Sequence, residues 1–109
     1  MITMKIAVVG SRIINDREFV FSILDKHIKN TDTIISGEAR GIDTLAKEYA
    51  KLNNISYVGF PPHNGNFKYR NQQIANECDI CLAFPHKSSR GTWDTINRCR
   101  KLHKEIKIF

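Results

Sequence analysis

Four short apolar runs, each closed by glycine or proline, punctuate this chain and restrict what it can fold into. Lys5-Ile6-Ala7-Val8-Val9 stops at Gly10, Thr33-Ile34-Ile35-Ser36 at Gly37, Ser56-Tyr57-Val58-Gly59-Phe60 at Pro61-Pro62, and Ile80-Cys81-Leu82-Ala83-Phe84 at Pro85. Runs this short and this continuous suit strands buried on both faces. The stretches between them repeat at helical spacing. Asn15 with Glu18 has capping-box form, and Phe19, Val20, Ile23, Leu24 and Ile28 carry a first helix to Asn30. Leu45, Ala46, Tyr49, Ala50 and Leu52 mark one face of a second helix ending at Asn53-Asn54. A short third helix is expected over Tyr69–Glu77 and a fourth over Thr92–His103, with Ile106–Phe109 as a fifth strand. Alternation of this kind predicts one α/β domain over residues 1–109, a Rossmann-like three-layer sandwich. Its five parallel strands are expected in the order 3-2-1-4-5, with four helices. Ligands of such sheets bind at the carboxyl ends of the strands where the order reverses, here beside Gly10-Ser11-Arg12 and the Pro85–Thr92 loop.

Composition narrows the partners. The 109 residues carry a formal net charge of +6 and are 41% hydrophobic, which fits a globular chain and excludes a disordered one. Residues 68–109 hold nine Lys/Arg against four Asp/Glu, so a phosphorylated or polyanionic partner is expected. No run approaches the ~20 apolar residues of a membrane helix, and the start Met1-Ile2-Thr3-Met4-Lys5 has no signal-peptide layout. A cytoplasmic protein with no membrane partner is the expectation. Three cysteines, Cys78, Cys81 and Cys99, are an odd set that suits reduced thiols. Cys78-x2-Cys81 and Cys99-x3-His103 have zinc-ligand spacing, but Cys78 precedes the fourth strand while Cys81 falls inside it, and residues three apart in a strand point to opposite faces. Cys99 and His103 are expected to share a helix face, yet a small thiol against a sheet is ordinary core packing, so no metal is expected.

Several loops could carry chemistry. Gly10-Ser11-Arg12 enters a helix from a strand end. Glycine there permits close backbone approach, and the serine and arginine offer donors to phosphate oxygens, although a plain turn also accounts for them. Ser36-Gly37-Glu38-Ala39-Arg40-Gly41-Ile42-Asp43 is a small-residue loop in which Asp43 either caps the next helix or faces a ligand. No Walker loop and no Gly-x-Gly-x-x-Gly is present, which removes support for triphosphate hydrolysis and for the usual dinucleotide mode. Arg70-Asn71 opens the third helix. Gly91-Thr92 opens the fourth behind Lys87-Ser88-Ser89-Arg90 and could seat a phosphate or act as a simple cap. Trp93 reads as packing, with base stacking as the alternative. His27, His63 and His86 form no catalytic pairing by spacing, and Arg98, Arg100, Lys101 and Lys104 read as a solvated helix face.

The order and spacing of these motifs resemble the SLOG superfamily, the Rossmann-like domains of DprA-type DNA-processing proteins and LOG enzymes, and most closely its YspA, cpYpsA-related family. The resemblance rests on Gly10-Ser11-Arg12, Ser36–Asp43 (family pattern Gly-Gly-Ala-Arg-Gly-x-Asp), Arg70-Asn71, Asp79 with Ala83-Phe84-Pro85, and Gly91-Thr92. It implies a pocket for a nucleotide or nucleotide-derived ligand, a signalling nucleotide among the candidates. That pocket would be lined by Gly10, Ser11, Arg12, Gly37, Arg40, Gly41, Asp43, Arg70, Asn71, Arg90, Gly91 and Thr92. Self-association into a homo-oligomer is also implied. Glu38 stands where the family has glycine, Arg90 replaces a glycine before Gly91-Thr92, and the Pro61–Arg70 loop is short. LOG enzymes, which cleave nucleoside monophosphates, carry Pro-Gly-Gly-x-Gly-Thr-x-x-Glu. Their final Glu falls at Thr95 here, with Asp94 one residue early and rotated by about 100°. Recognition without turnover is therefore the expected function, with no cofactor. The alternatives are glycosidic cleavage of a nucleotide using Asp94 or Glu38, and single-stranded nucleic-acid binding as in DprA-like proteins.

Overall fold

The computed structural model describes residues 3–109. Five strands, β1 (Lys5–Gly10), β2 (Thr33–Ser36), β3 (Ser56–Gly59), β4 (Ile80–Phe84) and β5 (Glu105–Ile108), alternate with α1 (Arg17–His27), α2 (Ile42–Leu52), α3 (Phe67–Glu77) and α4 (Arg90–Lys101). The strands form one sheet in the order β3-β2-β1-β4-β5, and every pairing is parallel. This is the Rossmann-like α/β architecture expected from the alternation. No helix among the described residues is long and apolar enough to cross a membrane.

The continuous apolar strands divide their side chains between two cores because successive residues face opposite sides of a sheet. Ile6, Val8, Ile34, Leu82 and Phe84 pack with Val20 and Leu24 of α1 and with Leu45, Ala46 and Tyr49 of α2. Ala7, Val9, Ile35, Cys81 and Ala83 pack with Ile74, Ala75 and Cys78 and with Ile96 and Cys99 of α4. Branched and aromatic strand residues dominate the first face and small ones the second, which lets α3 and α4 lie close to β1 and β4.

Local chemistry moved several expected boundaries. The cap of α1 is Asp16, whose carboxylate accepts from Phe19 N–H, and not Asn15. Asn66 caps α3 by accepting from Tyr69 N–H, so that helix begins at Phe67 and not at Tyr69. A tight turn precedes α4, in which Ser89 N–H donates to His86 O and His86 N–H to Ser89 Oγ. It delivers the chain in helical geometry by Arg90, two residues before the expected start. The same helix ends at Lys101, and His103 sits beyond it at φ 57°. His103 therefore does not share a helix face with Cys99. Cys78 is the C-cap of α3 and lies outside β4, so the opposite-face argument against a metal fails: all three thiols are buried in one core. Against the lowering effect of Cys78, the Cys81 contact and burial push the Cys99 thiol pKa up to about 12, which keeps it protonated in that core.

Gly41 is the N-cap of α2 at φ 72°, and a Cβ there would collide with the Ser11 carbonyl oxygen and lie 2.7 Å from Arg12 Cα. Strain and clash act together, so Gly41→Ala should lower folding stability by more than about 1 kcal/mol. A urea unfolding midpoint unchanged from wild type would contradict this.

Candidate functional site

Reversal of strand order between β1 and β4 opens a crevice at the carboxyl edge of the sheet, and one residue ties its walls together. Ser11 N–H donates to Phe84 O at 3.0 Å, while Ser11 O accepts from Ile42 N–H at 3.2 Å. Its hydroxyl accepts from Ile13 N–H at 3.1 Å. Ser11 is buried, and its amide is spent on Phe84 O, whereas its hydroxyl accepts from Ile13 N–H and keeps its own proton to donate at the cavity wall. Arg12, next to it, is exposed, and its guanidinium lies over the Phe67 ring at 5.8 Å.

The crevice holds a cavity of about 450 Å³. Of the residues expected to line it, Gly10, Ser11, Arg12, Gly37, Asp43, Arg70, Asn71, Arg90, Gly91 and Thr92 do so. Gly41 does not, being packed on the Ser11-Arg12 backbone. Arg40 lies instead on a second cavity of about 210 Å³, with Glu38, Pro62 and Phe67. The two spaces share Arg12, Gly37, Ala39, Phe67 and Arg70 as a common wall.

Two helices begin at the main cavity without a side-chain cap. Gly41 offers α2 none, and the Ser89 hydroxyl at the start of α4 is bonded to His86 N–H. Helix amino ends carry unpaired N–H groups and partial positive charge that favour an anion. The first amide of α2 is spent on Ser11 O and that of α4 on Ser88 O, which leaves Gly91 and Thr92 N–H as the donors at the cavity. Arg12 and Arg90 add full charges at the same opening. Asn71 steadies the start of α4 by donating to Gly91 O at 3.4 Å and to Asp94 Oδ2 at 3.0 Å.

Arg70 is only 7% exposed. Its Nη1 donates to the carbonyls of Gly37 and Phe60, and its Nε to Asn71 Oδ1 at 2.9 Å. The guanidinium thus clips the β2–α2 loop to the end of β3, and Nη2 makes none of these bonds. Gly37 is required by this clip, since a Cβ would stand 2.5 Å from Arg70 Nη1 and 3.0 Å from Asp43 Oδ2.

Asp43 does not cap α2. It reaches back to accept from Ala39 N–H through Oδ2 at 3.1 Å, and Oδ1 is buried with no partner among the described residues. The Ser36 hydroxyl close by is shared with Val8 O at 3.0 Å and, with the Ala39 amide, favours the charged form of the carboxyl. Burial raises the Asp43 pKa above the ordinary 3.8, outweighing the bond from Ala39 and the attraction of Arg70.

The two carboxylates considered for chemistry lie elsewhere. Asp94 lies outside the cavity lining, held by Asn71 and by Arg98 Nε at 2.9 Å. Burial alone would raise its pKa, but these two bonds and the Arg98 charge bring it below the ordinary value. Thr95 occupies the wall instead. Glu38 turns toward β3 and Lys47, bonding Lys47 Nζ through Oε2 at 3.3 Å, and not toward Arg40. Trp93 packs on the α3/α4 core, and its Nε1 donates to His86 O at 3.3 Å. The expected solvated face of α4 is partly committed: Arg98 pairs with Asp94 and Gln72, and Lys104 donates to Cys78 O and Asn76 O at the end of α3.

Sequence reasoning missed Phe67, Ile13, Ser88, Ser89 and Thr95 as lining residues. The signal for Phe67 was Asn66, whose capping role places an aromatic in the first turn of a helix facing the crevice. Thr95 was marked by helical spacing, one turn after Gly91.

Residues 4–66 match the family described as "YspA, cpYpsA-related SLOG family". Comparison with curated proteins finds no significant match. Among solved structures, DNA processing protein A (DprA) from Streptococcus pneumoniae superposes with a TM-score of 0.85 at 22% identity over 97% of this chain. DNA processing protein A from Helicobacter pylori, described for its single-stranded DNA binding mode, gives 0.75 at 19% identity over 96%. The structural-genomics target TM1055 gives 0.78 at 16% identity over 94%. This chain spans 50%, 64% and 72% of those three chains respectively. These likenesses establish the fold.

The raised pKa of Asp43 has a consequence for stability. A carboxyl whose pKa is higher folded than unfolded binds its proton more tightly in the native state, so its contribution falls as pH rises through the native value. Asp43→Asn keeps an oxygen for Ala39 N–H and removes the buried charge. At pH 7 the variant should melt above wild type, and the gap should close as the pH falls toward 3.8. A variant that melts below wild type at pH 7 and equals it in acid would show that the charge is stabilising.

Proposed function

Because this chain belongs to the YspA, cpYpsA-related SLOG family, we propose that its main cavity binds a nucleotide or nucleotide-derived molecule through its phosphate, by recognition and not by turnover. The observation that carries the reading is the meeting of two uncapped helix amino ends with Arg12, Arg70 and Arg90 at one crevice. The phosphate belongs before Gly91-Thr92, where first-turn N–H groups face a ligand without a competing cap. Gly10, Ser11, Gly37 and Asn71 shape the wall, and Arg40 stands at the adjoining second cavity. Recognition is favoured over glycosidic cleavage because Asp43 is the one carboxylate lining the main cavity among the described residues, and Asp94 is engaged by Asn71 and Arg98.

A second reading, single-stranded nucleic acid, draws on the exposed ring of Phe67 beside Arg12 and on the DNA-binding description of the Helicobacter pylori neighbour. Base stacking on aromatics and phosphate pairing with arginines are what such binding needs. It ranks second because the basic residues of α4 are partly engaged within the fold.

Thermal melting with nucleoside mono- and diphosphates and cyclic dinucleotides tests the first reading. A ligand at a hundredfold excess over Kd contributes about 2.7 kcal/mol to stability, a shift of several degrees. Arg12→Ala and Arg90→Ala should each weaken the affinity about tenfold or more. No shift with any of these compounds, together with binding of an oligonucleotide that weakens steeply with salt, would replace the first reading by the second.

A further inference from the structure

Glu38 is unexplained by phosphate binding. Its backbone sits at φ 62°, in the left-handed region where glycine is unstrained and a side chain costs about 1 kcal/mol or more. The residue departs from the glycine of its family's pattern, and the structure gives the carboxylate a definite place. It lines the second cavity, folded over Gly59, where Oε1 lies nearest the glycine in the space a Cβ would fill and Cδ and Cγ stand 2.5 and 2.7 Å from that position. Lys47 at 3.3 Å engages Oε2 alone, and a carboxylate has about four acceptor sites. Tyr57 Oη, buried and without a partner among the described residues, belongs to the same polar corner.

The opposite wall of this space is apolar. Phe67 is 45% exposed although a phenyl ring gains by burial, and Pro62 stands beside it. Phe67 also lines the main cavity, so one flat ring separates the proposed phosphate seat from the second space. Arg12 and Arg70 guanidinium groups lie 5.8 and 5.6 Å from its centroid, which places two cations against the ring.

We propose that the second cavity is a nucleobase subsite in which Phe67 is the stacking surface and Glu38 selects a base presenting two adjacent N–H donors, as guanine does through its ring imino and exocyclic amino groups. This rests on the phosphate reading of the main cavity and adds the identity of the base. A carboxylate accepts two such hydrogen bonds side by side. Adenine offers an amino donor next to a ring acceptor, and that acceptor would face the carboxylate unpaired. Arg40, at the same cavity, supplies donors for the carbonyl oxygen that guanine carries on the same edge.

Calorimetric titration with GMP, IMP, AMP, UMP and ribose 5-phosphate tests the assignment on the wild-type chain, with Glu38→Gly and Phe67→Leu as variants. Glycine relieves the left-handed backbone, so Glu38→Gly is expected to fold. Wild type should bind GMP about tenfold or more tighter than AMP, with IMP between them because it lacks the amino group. Glu38→Gly should bring GMP and AMP to equal affinity while leaving ribose 5-phosphate unchanged. Phe67→Leu should weaken every nucleotide by a larger factor than it weakens ribose 5-phosphate. Equal affinity of wild type for all four nucleotides, or a GMP preference that survives Glu38→Gly, overturns the base subsite and leaves the phosphate reading standing. Failure of all five compounds to bind overturns both.

Discussion

The backbone of Ser11 is the joint on which the rest of the site depends. Its N–H to Phe84 O and its carbonyl from Ile42 N–H fasten the end of β1 to the end of β4 and to the first turn of α2. Parallel order forces β1 and β4 to be neighbours whose outgoing connections run opposite ways, which leaves their carboxyl ends uncovered. The Ser11 bonds carry the β1–β4 ladder one residue past Gly10 and Phe84 and tie it to the start of α2. With them, the starts of α2 and α4 open on one cavity, and small residues at Gly37 and Gly41 let the chain pass where any side chain would collide.

Electrostatics divides the crevice by function. Arg70 holds the β2–α2 loop through carbonyls and has little of its charge facing water, whereas Arg12 and Arg90 are exposed at the mouth. Asp43 lies beneath them with one oxygen unpaired and a pKa raised by burial. A buried carboxylate that costs folding stability, kept beside a cationic cavity, is a pattern more often met at working sites than in inert cores. Glu38 repeats it in the backbone, since its left-handed conformation would cost a glycine nothing. The +6 net charge of the sequence resolves accordingly into cations at the crevice and others bound within the fold, such as Lys104 on the carbonyls at the end of α3.

The sheet was legible because both faces of β1, β2 and β4 are covered, while the edge strands β3 and β5 keep residues such as Val58 and Ile108 exposed. Continuous apolar runs cut by Gly10, Gly37, Pro61 and Pro85 left no competing period, and the supposed order 3-2-1-4-5, which alternation alone does not fix, is the one observed. Helix starts were less legible, since caps are decided by single side chains. Asp16 took the place of Asn15 at α1, and Asn66 moved α3 back by two residues, which brought Phe67 to the cavity. The thiols misled for a related reason: Cys78 lies just outside β4, so strand parity did not govern it. Rotational arguments on an established helix fared better, for Thr95 faces the cavity and Asp94 does not. What no spacing could give was the internal engagement of Arg70 and Arg98, because it depends on loops brought together from distant parts of the chain.

The central claim is that an anion sits before the start of α4 in the crevice built on Ser11. Amide-resolved NMR titration with a nucleoside monophosphate tests it most directly. The account predicts the largest shifts at the N–H groups of Gly91, Thr92 and Arg12, with little change on the outer face of α4 at Arg100 and Lys101. Shifts confined to that outer face, with Gly91 and Thr92 unmoved, would contradict it.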